Sequence, residues 1–131
     1  MPDVRSAPEH VPDRHLDAGL QVFELEEQID EVLRSASTLE HGHSAETLAK
    51  YPSLRLVLIG MRAGASLGEH KAHGRVSLQT VRGEVVLVIG PRRILLPAGT
   101  VASLDRDILH DVVAQADSAV LLTVCWEGHP A

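Results

Sequence analysis

Aromatic residues are almost missing from this sequence: Phe23, Tyr51 and Trp126 are the only three in 131 residues. A core therefore has to be packed by Val, Leu, Ile and Ala. Cysteine is scarcer still. Cys125 stands alone, which excludes an internal disulfide framework and suits a reducing compartment. Its setting, LLTVCW, reads as a strand and predicts a buried, inert thiol. Basic charge is also short. The net charge is −6 with no stripe of Lys and Arg, so a phosphate backbone would find little to neutralise it, and no nucleic acid partner is expected. The longest apolar stretch, 56–61, is far below the roughly 20 residues that span a bilayer. The opening MPDVRSAPEHVPD contains no apolar signal segment. No membrane association is expected, and the cytoplasm is the expected location.

Several reaction classes lose support in the same way. There is no G-x-S-x-G nucleophile elbow, no G-x-x-x-x-G-K-S/T phosphate loop and no paired-cysteine zinc motif. GMRAGASLG contains glycines, yet it precedes strands where a dinucleotide fingerprint needs a helix.

What is present fits one domain, since 131 residues are too few for two ordinary cores. Residues 1–20 are polar, carry Pro2, Pro8 and Pro12 and show no periodicity. They read as a flexible, extended N-terminal arm, which leaves 21–131 as the single domain. From Phe23 the pattern changes. Leu25, Ile29, Val32 and Leu33 recur on one helical face among acidic residues, predicting a short helix that ends by Ser37. Glu24, Glu26 and Glu27 at its start and Arg34 near its end suit the helix dipole.

After residue 43 the signals are those of strands. SAETLAK, SLRLVLIGMR, RVSLQTVRG, EVVLVIG, RRILLPAG, TVASLD, HDVVAQ and SAVLLTVCW are short, rich in β-branched residues and separated by Gly, Pro or Asp. Such regular short strands indicate an all-β sandwich or barrel. IGPRRI and AQADSA are both expected to close hairpins. No interval holds a crossover helix, so a parallel α/β sheet is disfavoured.

Two spaced motifs sharpen this reading. The pattern G-x5-H-x-H-x3-E-x6-G falls on Gly64, His70, Ala72, Val76 and Gly83. The pattern G-x5-P-x-G-x2-H-x3-N falls on Gly99, Asp105, Asp107, His110 and Ala114. Spacing is kept without insertion across 64–83 and 99–114, with the short segment 84–98 between. The sequence thus resembles the cupins, in particular small single-domain bacterial cupins of the RmlC-like type. That resemblance implies an antiparallel jelly-roll β-barrel in which the two motifs form facing hairpins. Gly64 and Gly83 are the expected corners, where positive φ or close backbone approach calls for glycine.

In metal-binding cupins three histidines and a glutamate converge on one divalent ion. Here Ala72 stands in place of the second histidine and Val76 in place of the glutamate, and neither offers a lone pair. His73 stands one position late and Gln79 three past the missing glutamate. The candidate metal set is therefore His70, His73 and His110, with Gln79 secondary. Alternation along a strand would turn His73 away from His70 unless HKAHG bends, and would turn Gln79 away from the interior. Three imidazoles would suit a divalent transition metal (Zn, Fe, Ni, Cu or Mn). His41 and His43, Glu69, Arg75 and Arg82 are further polar candidates, each read more simply as surface.

Two functional classes stay open. One is a module that binds a small-molecule ligand, with or without a divalent metal. The other is a metal-dependent enzyme of dioxygenase, isomerase or decarboxylase type acting on a small organic substrate, which the cupin resemblance allows. Catalytic residues are not assignable. Sheet edges and the arm predict a homodimer.

Overall fold

The computed structural model describes residues 7–8, 15–17 and 19–126. Most of the predicted arm lies outside them. Within it His15–Asp17 form β1, which pairs with β2 (Leu20–Val22) across a turn at Gly19. The helix follows as α1 (Leu25–Thr38), with Glu26 and Glu27 in its first turn. It runs slightly past Ser37, so Arg34 lies short of the last turn, which holds no basic residue. Gln28, Ile29, Val32 and Ala36 form its buried stripe at helical spacing.

All eight strand segments form. They are β3 (His43–Lys50), β4 (Leu54–Met61), β5 (Arg75–Arg82), β6 (Glu84–Ile89), β7 (Arg92–Pro97), β8 (Val101–Leu104), β9 (Asp111–Ala114) and β10 (Ser118–Cys125). A five-stranded antiparallel sheet has the order β3-β4-β10-β5-β8, and a three-stranded one the order β7-β6-β9. The sheets face each other across a core of Ile59, Met61, Val76, Leu78, Val85, Leu87, Leu96, Val112, Val120 and their neighbours. This is a jelly-roll sandwich. The expected antiparallel jelly roll is thus formed, with the two sheets not joined into one closed ring of strands.

β4 explains why its sequence is apolar without a break. Ile59 and Met61 face the second sheet, whereas Leu56 and Leu58 face α1, where Ile29, Val32, Leu48 and Ala119 complete a second core. A strand buried on both faces has no polar side to show. Gly60 lets α1 lie close to β4: a Cβ there would lie 2.7 Å from the Val32 backbone. Arg82 fixes the helix laterally, donating to Asp30 at 2.8 Å and to Glu26 at 2.6 Å.

One of the two expected hairpins forms. β6 and β7 pair from Glu84↔Pro97 to Ile89↔Arg92 around Gly90 and Pro91. AQADSA does not close a hairpin. β9 pairs with β6 while β10 pairs with β4 and β5, so this segment carries the chain between sheets. Cys125 also departs from expectation: it is exposed. Val124 takes the inward position, and alternation sends Cys125 to the outer face, past the inner core.

Gly64 and Gly83 both have positive φ, 86° and 76°. Gly83 is the corner between β5 and β6, and a Cβ there would collide with Ser118 Oγ, whereas at Gly64 it would meet nothing within 4 Å. Ser118 is fully buried; its hydroxyl accepts from Glu84 N at 3.0 Å and donates to Ala116 O at 2.6 Å. Gly83→Ala is therefore expected to cost about 2–3 kcal/mol and Gly64→Ala about 1 kcal/mol. Urea unfolding of the two variants checks this; equal losses would show that the corner contact is not limiting.

Candidate functional site

The segment after Gly64 runs antiparallel to β9. Gly64 N donates to Ala114 O, Leu67 N to Val112 O, and His70 and His110 exchange both backbone hydrogen bonds at 2.9 and 2.8 Å. This register places the histidine of the first motif directly opposite that of the second. Their rings meet with centroids 4.4 Å apart, tilted by 56°. His110 is buried, at 5% exposure, while His70 is open to solvent. Leu67, Ala72 and Ile108, from the same two segments, are partly buried against the core.

Each ring is held by the same device. His70 Nδ1 lies 2.7 Å from Gly68 O, and His110 Nδ1 lies 2.8 Å from Ile108 O. A carbonyl oxygen only accepts, so Nδ1 carries the proton in both rings and each Nε2 of the neutral imidazole presents a lone pair. No described residue hydrogen-bonds either Nε2. Two oriented acceptors, one buried and one exposed, thus sit at one end of the sandwich.

His73 is not brought to this pair. Its Nδ1 lies 3.0 Å from Asp107 Oδ1, both side chains being exposed. The cause is legible in the backbone. Asp107 has φ 63°, the only positive value at a non-glycine among the described residues, and it occupies the position where the second motif carries glycine. Aspartate tolerates the left-handed region better than most side chains, so the turn survives while a carboxylate is introduced that engages His73. The sequence reading missed this role, although a motif glycine replaced by Asp was a usable signal. Asp107 N also donates to Ala72 O at 2.8 Å, tying the two hairpins together.

The remaining positions follow the strand parity. Val76 lies in the core, so the slot of the missing glutamate does face inward and is filled by a hydrocarbon. Gln79 is exposed between buried Leu78 and Thr80, on the opposite face, and is removed from the ligand set. Among the described residues no three His, Cys, Asp or Glu side chains stand close enough to hold an ion. A four-donor cupin metal centre therefore does not fit these residues. Glu69 is exposed. Arg82 is committed to α1, and Arg75 bonds Asp105 at 3.1 Å. Asp105, at the motif's proline position, is held below the usual carboxylate range by the Arg106 backbone N–H and then by Arg75.

His41 and His43 form a second ring pair, with centroids 4.1 Å apart. His43 N donates to His41 Nδ1 at 3.3 Å, which occupies that lone pair. Partial burial first, and the neighbouring His41 second, lower the pKa of His43 from 6.5.

No protein-family model and no curated protein matches the sequence. Solved structures do match. A cupin superfamily protein of Desulfitobacterium hafniense aligns with a TM-score of 0.64 at 19% identity, over 70% of this chain and 87% of that one. An RmlC-like cupin of Desulfovibrio desulfuricans aligns at 0.60 with 26% identity, over 63% and 81%. The KdgF protein of a Halomonas species aligns at 0.60 with 22% identity, over 68% and 85%. The chain has the cupin fold.

Two outcomes follow from this geometry. Long-range nitrogen-15 spectra of the neutral imidazoles are expected to show the Nδ1–H tautomer for both His70 and His110, and an Nε2–H tautomer for either would contradict the assigned hydrogen bonds. For His43, folding disfavours the imidazolium, so the unfolded chain binds more protons. Its contribution is present above about pH 6.5 and lost as the pH falls below. Thermal unfolding from about pH 7.5 to 5 should show this slope, and His43→Gln should flatten it; an unchanged slope would assign it elsewhere.

Proposed function

We propose that this cupin-fold chain is a small-molecule-binding module whose recognition centre is the His70–His110 pair. The observation that carries the reading is the placement of both ring Nδ1 atoms against backbone carbonyls, at 2.7 and 2.8 Å. Two Nε2 lone pairs held in place by backbone carbonyls are pre-organised acceptors, and they lose little entropy when a hydroxyl, amide or protonated amine of a ligand donates to them. Leu67, Ala72 and Ile108, partly buried in the same two segments, are the aliphatic side chains the reading assigns to the apolar part of such a ligand. Fold likeness supports a binding module or an enzyme equally, since one architecture hosts many activities.

A second reading has its own support. An imidazole whose Nδ1–H is tied to a carbonyl is in the state that ligates a transition metal through Nε2. Two such rings could hold Zn, Fe, Ni, Cu or Mn with the other positions left to water or to the substrate itself. That would be the route to a metal-dependent dioxygenase, isomerase or decarboxylase acting on a small organic substrate. With Ala72 and Val76 in the remaining ligand slots, the protein itself contributes few donors, so retention of metal through purification is expected to be weak.

The two readings part on one experiment. Untagged protein purified without chelator is analysed for metal, alongside His70→Ala and His110→Ala. The binding reading expects sub-stoichiometric metal in all three. It further expects small polyols, amides and amines, titrated by NMR, to shift the His70 and His110 rings together, with at least a tenfold loss of affinity in His110→Ala, the scale of one lost buried hydrogen bond. Near-stoichiometric metal in the parent and its loss in both variants would replace this reading with the metalloenzyme.

A further inference from the structure

The inner face of the five-stranded sheet carries a cation at one end. Arg55 stands opposite Val124, and Val124 opposite Val76, across β4, β10 and β5. Residues directly opposite in an antiparallel sheet project to one side. Val124 and Val76 both lie in the core between the sheets, so Arg55 projects inward as well, two strands or about 10 Å from the slot where the first motif carries glutamate. Its guanidinium carbon lies 5.1 Å from the centre of the Trp126 ring. Trp126 is half-buried against the same core, and a Cβ on Gly74 would lie 3.1 Å from its Cδ1. Gly74 closes the segment HKAHG that opens with His70, so Arg55 and the histidine pair share one end of the sandwich.

A ring face attracts a guanidinium but does not accept its in-plane N–H groups, and Arg55 Nε is buried with no hydrogen-bond partner. Such a donor is costly to leave unbonded. Arg75 and Arg82, by contrast, are each held by a carboxylate. Lys50 stands directly opposite Arg55 on β3, a like-charge pair that works against the sheet unless an anion lies close to both. Among the described residues no carboxylate pairs with either cation. We infer that Arg55 is the anion anchor of the histidine-pair site and that the ligand is a small organic acid. Its carboxylate takes two N–H donors of the guanidinium fork, with Lys50 adding charge from the rim, while a hydroxyl or amine of the same molecule donates to the imidazole Nε2 atoms. The planar fork matches a carboxylate with two parallel hydrogen bonds, and Trp126 sets the plane of that fork. A side chain with no hydrogen bond to break turns toward an incoming acceptor at little cost. This inference rests on the histidine-pair reading and adds to it the charge class of the ligand.

The test is an NMR titration of the full-length parent with lactate, with malate and with lactamide, the uncharged counterpart of lactate. It is followed at the Arg55 Nε–H and at the His70 and His110 rings, and repeated with Arg55→Gln, folding being checked by far-ultraviolet circular dichroism. The two acids should shift all three groups together in the parent, and lactamide should bind roughly tenfold more weakly than lactate. Arg55→Gln should lose roughly tenfold or more of the lactate affinity and bind lactamide as the parent does. Equal affinities for lactate and lactamide, with ring shifts and a silent Arg55, overturn the anchor and leave the histidine pair as a site for neutral ligands. Acid-induced shifts at Arg55 with silent rings support the anchor and overturn the histidine-pair reading instead. No response to either acid at any of the three groups overturns the anchor outright, and because the parent alone gives that result, a misfolded Arg55→Gln does not blunt the test.

Discussion

The double burial of the β4–β10 pair is the constraint on which the rest of the structure depends. Eight consecutive residue pairs, from Ser118↔Met61 to Cys125↔Leu54, hold these two strands in one register. One face of the pair supplies Ile59, Met61, Val120 and Val124 to the core between the sheets, and the other supplies Leu58 and Ala119 to the core beneath α1. Each fully buried aliphatic side chain here contributes about 1.5–3 kcal/mol of transfer free energy. A slip of one residue would exchange the two sets, setting Gly60 toward the sandwich and a larger side chain against the Val32 backbone. The register is therefore pinned from both sides, and β5, β8 and the helix take their places from it.

This explains what was legible in the sequence. Strand identity depends on short-range pattern, so all eight segments could be read from β-branched runs and their punctuation. The helix was equally plain, because Ile29 and Val32 repeat at its period. Sheet membership is another matter. AQADSA has the composition of a hairpin turn, but a turn residue does not encode whether the next strand stays in the same sheet. Gly83 illustrates the missing information: its positive φ was expected, while the crowding by Ser118 that makes it the corner between sheets is a long-range fact. Cys125 was misplaced for a related reason. LLTVCW gives the alternation but not its phase, and only the inward placement of Val124 decides which face the thiol takes.

The site was legible to the extent that spacing determines it. His70 and His110 were paired by motif position alone, and the hydrogen-bond register puts them opposite each other. His73 fails as their companion through the chemistry of a single replacement. The turn at 107 needs a left-handed residue, aspartate supplies it with a carboxylate attached, and that carboxylate engages the imidazole that might have compensated for Ala72. Loss of the second ligand position and capture of its nearest substitute are thus consequences of two separate residues in facing hairpins. Gln79 fails more simply, by parity.

β9 shows how a single strand serves two surroundings. Along its approach and length the residues alternate, so that His110, Val112 and Ala114 belong to the inner side while Asp111 and Val113 belong to the outer. The hydrogen bond from Ser66 to Asp111 reaches from the segment that also presents His70. One short strand with a single register therefore carries the buried histidine on one side and a carboxylate held by the facing segment on the other.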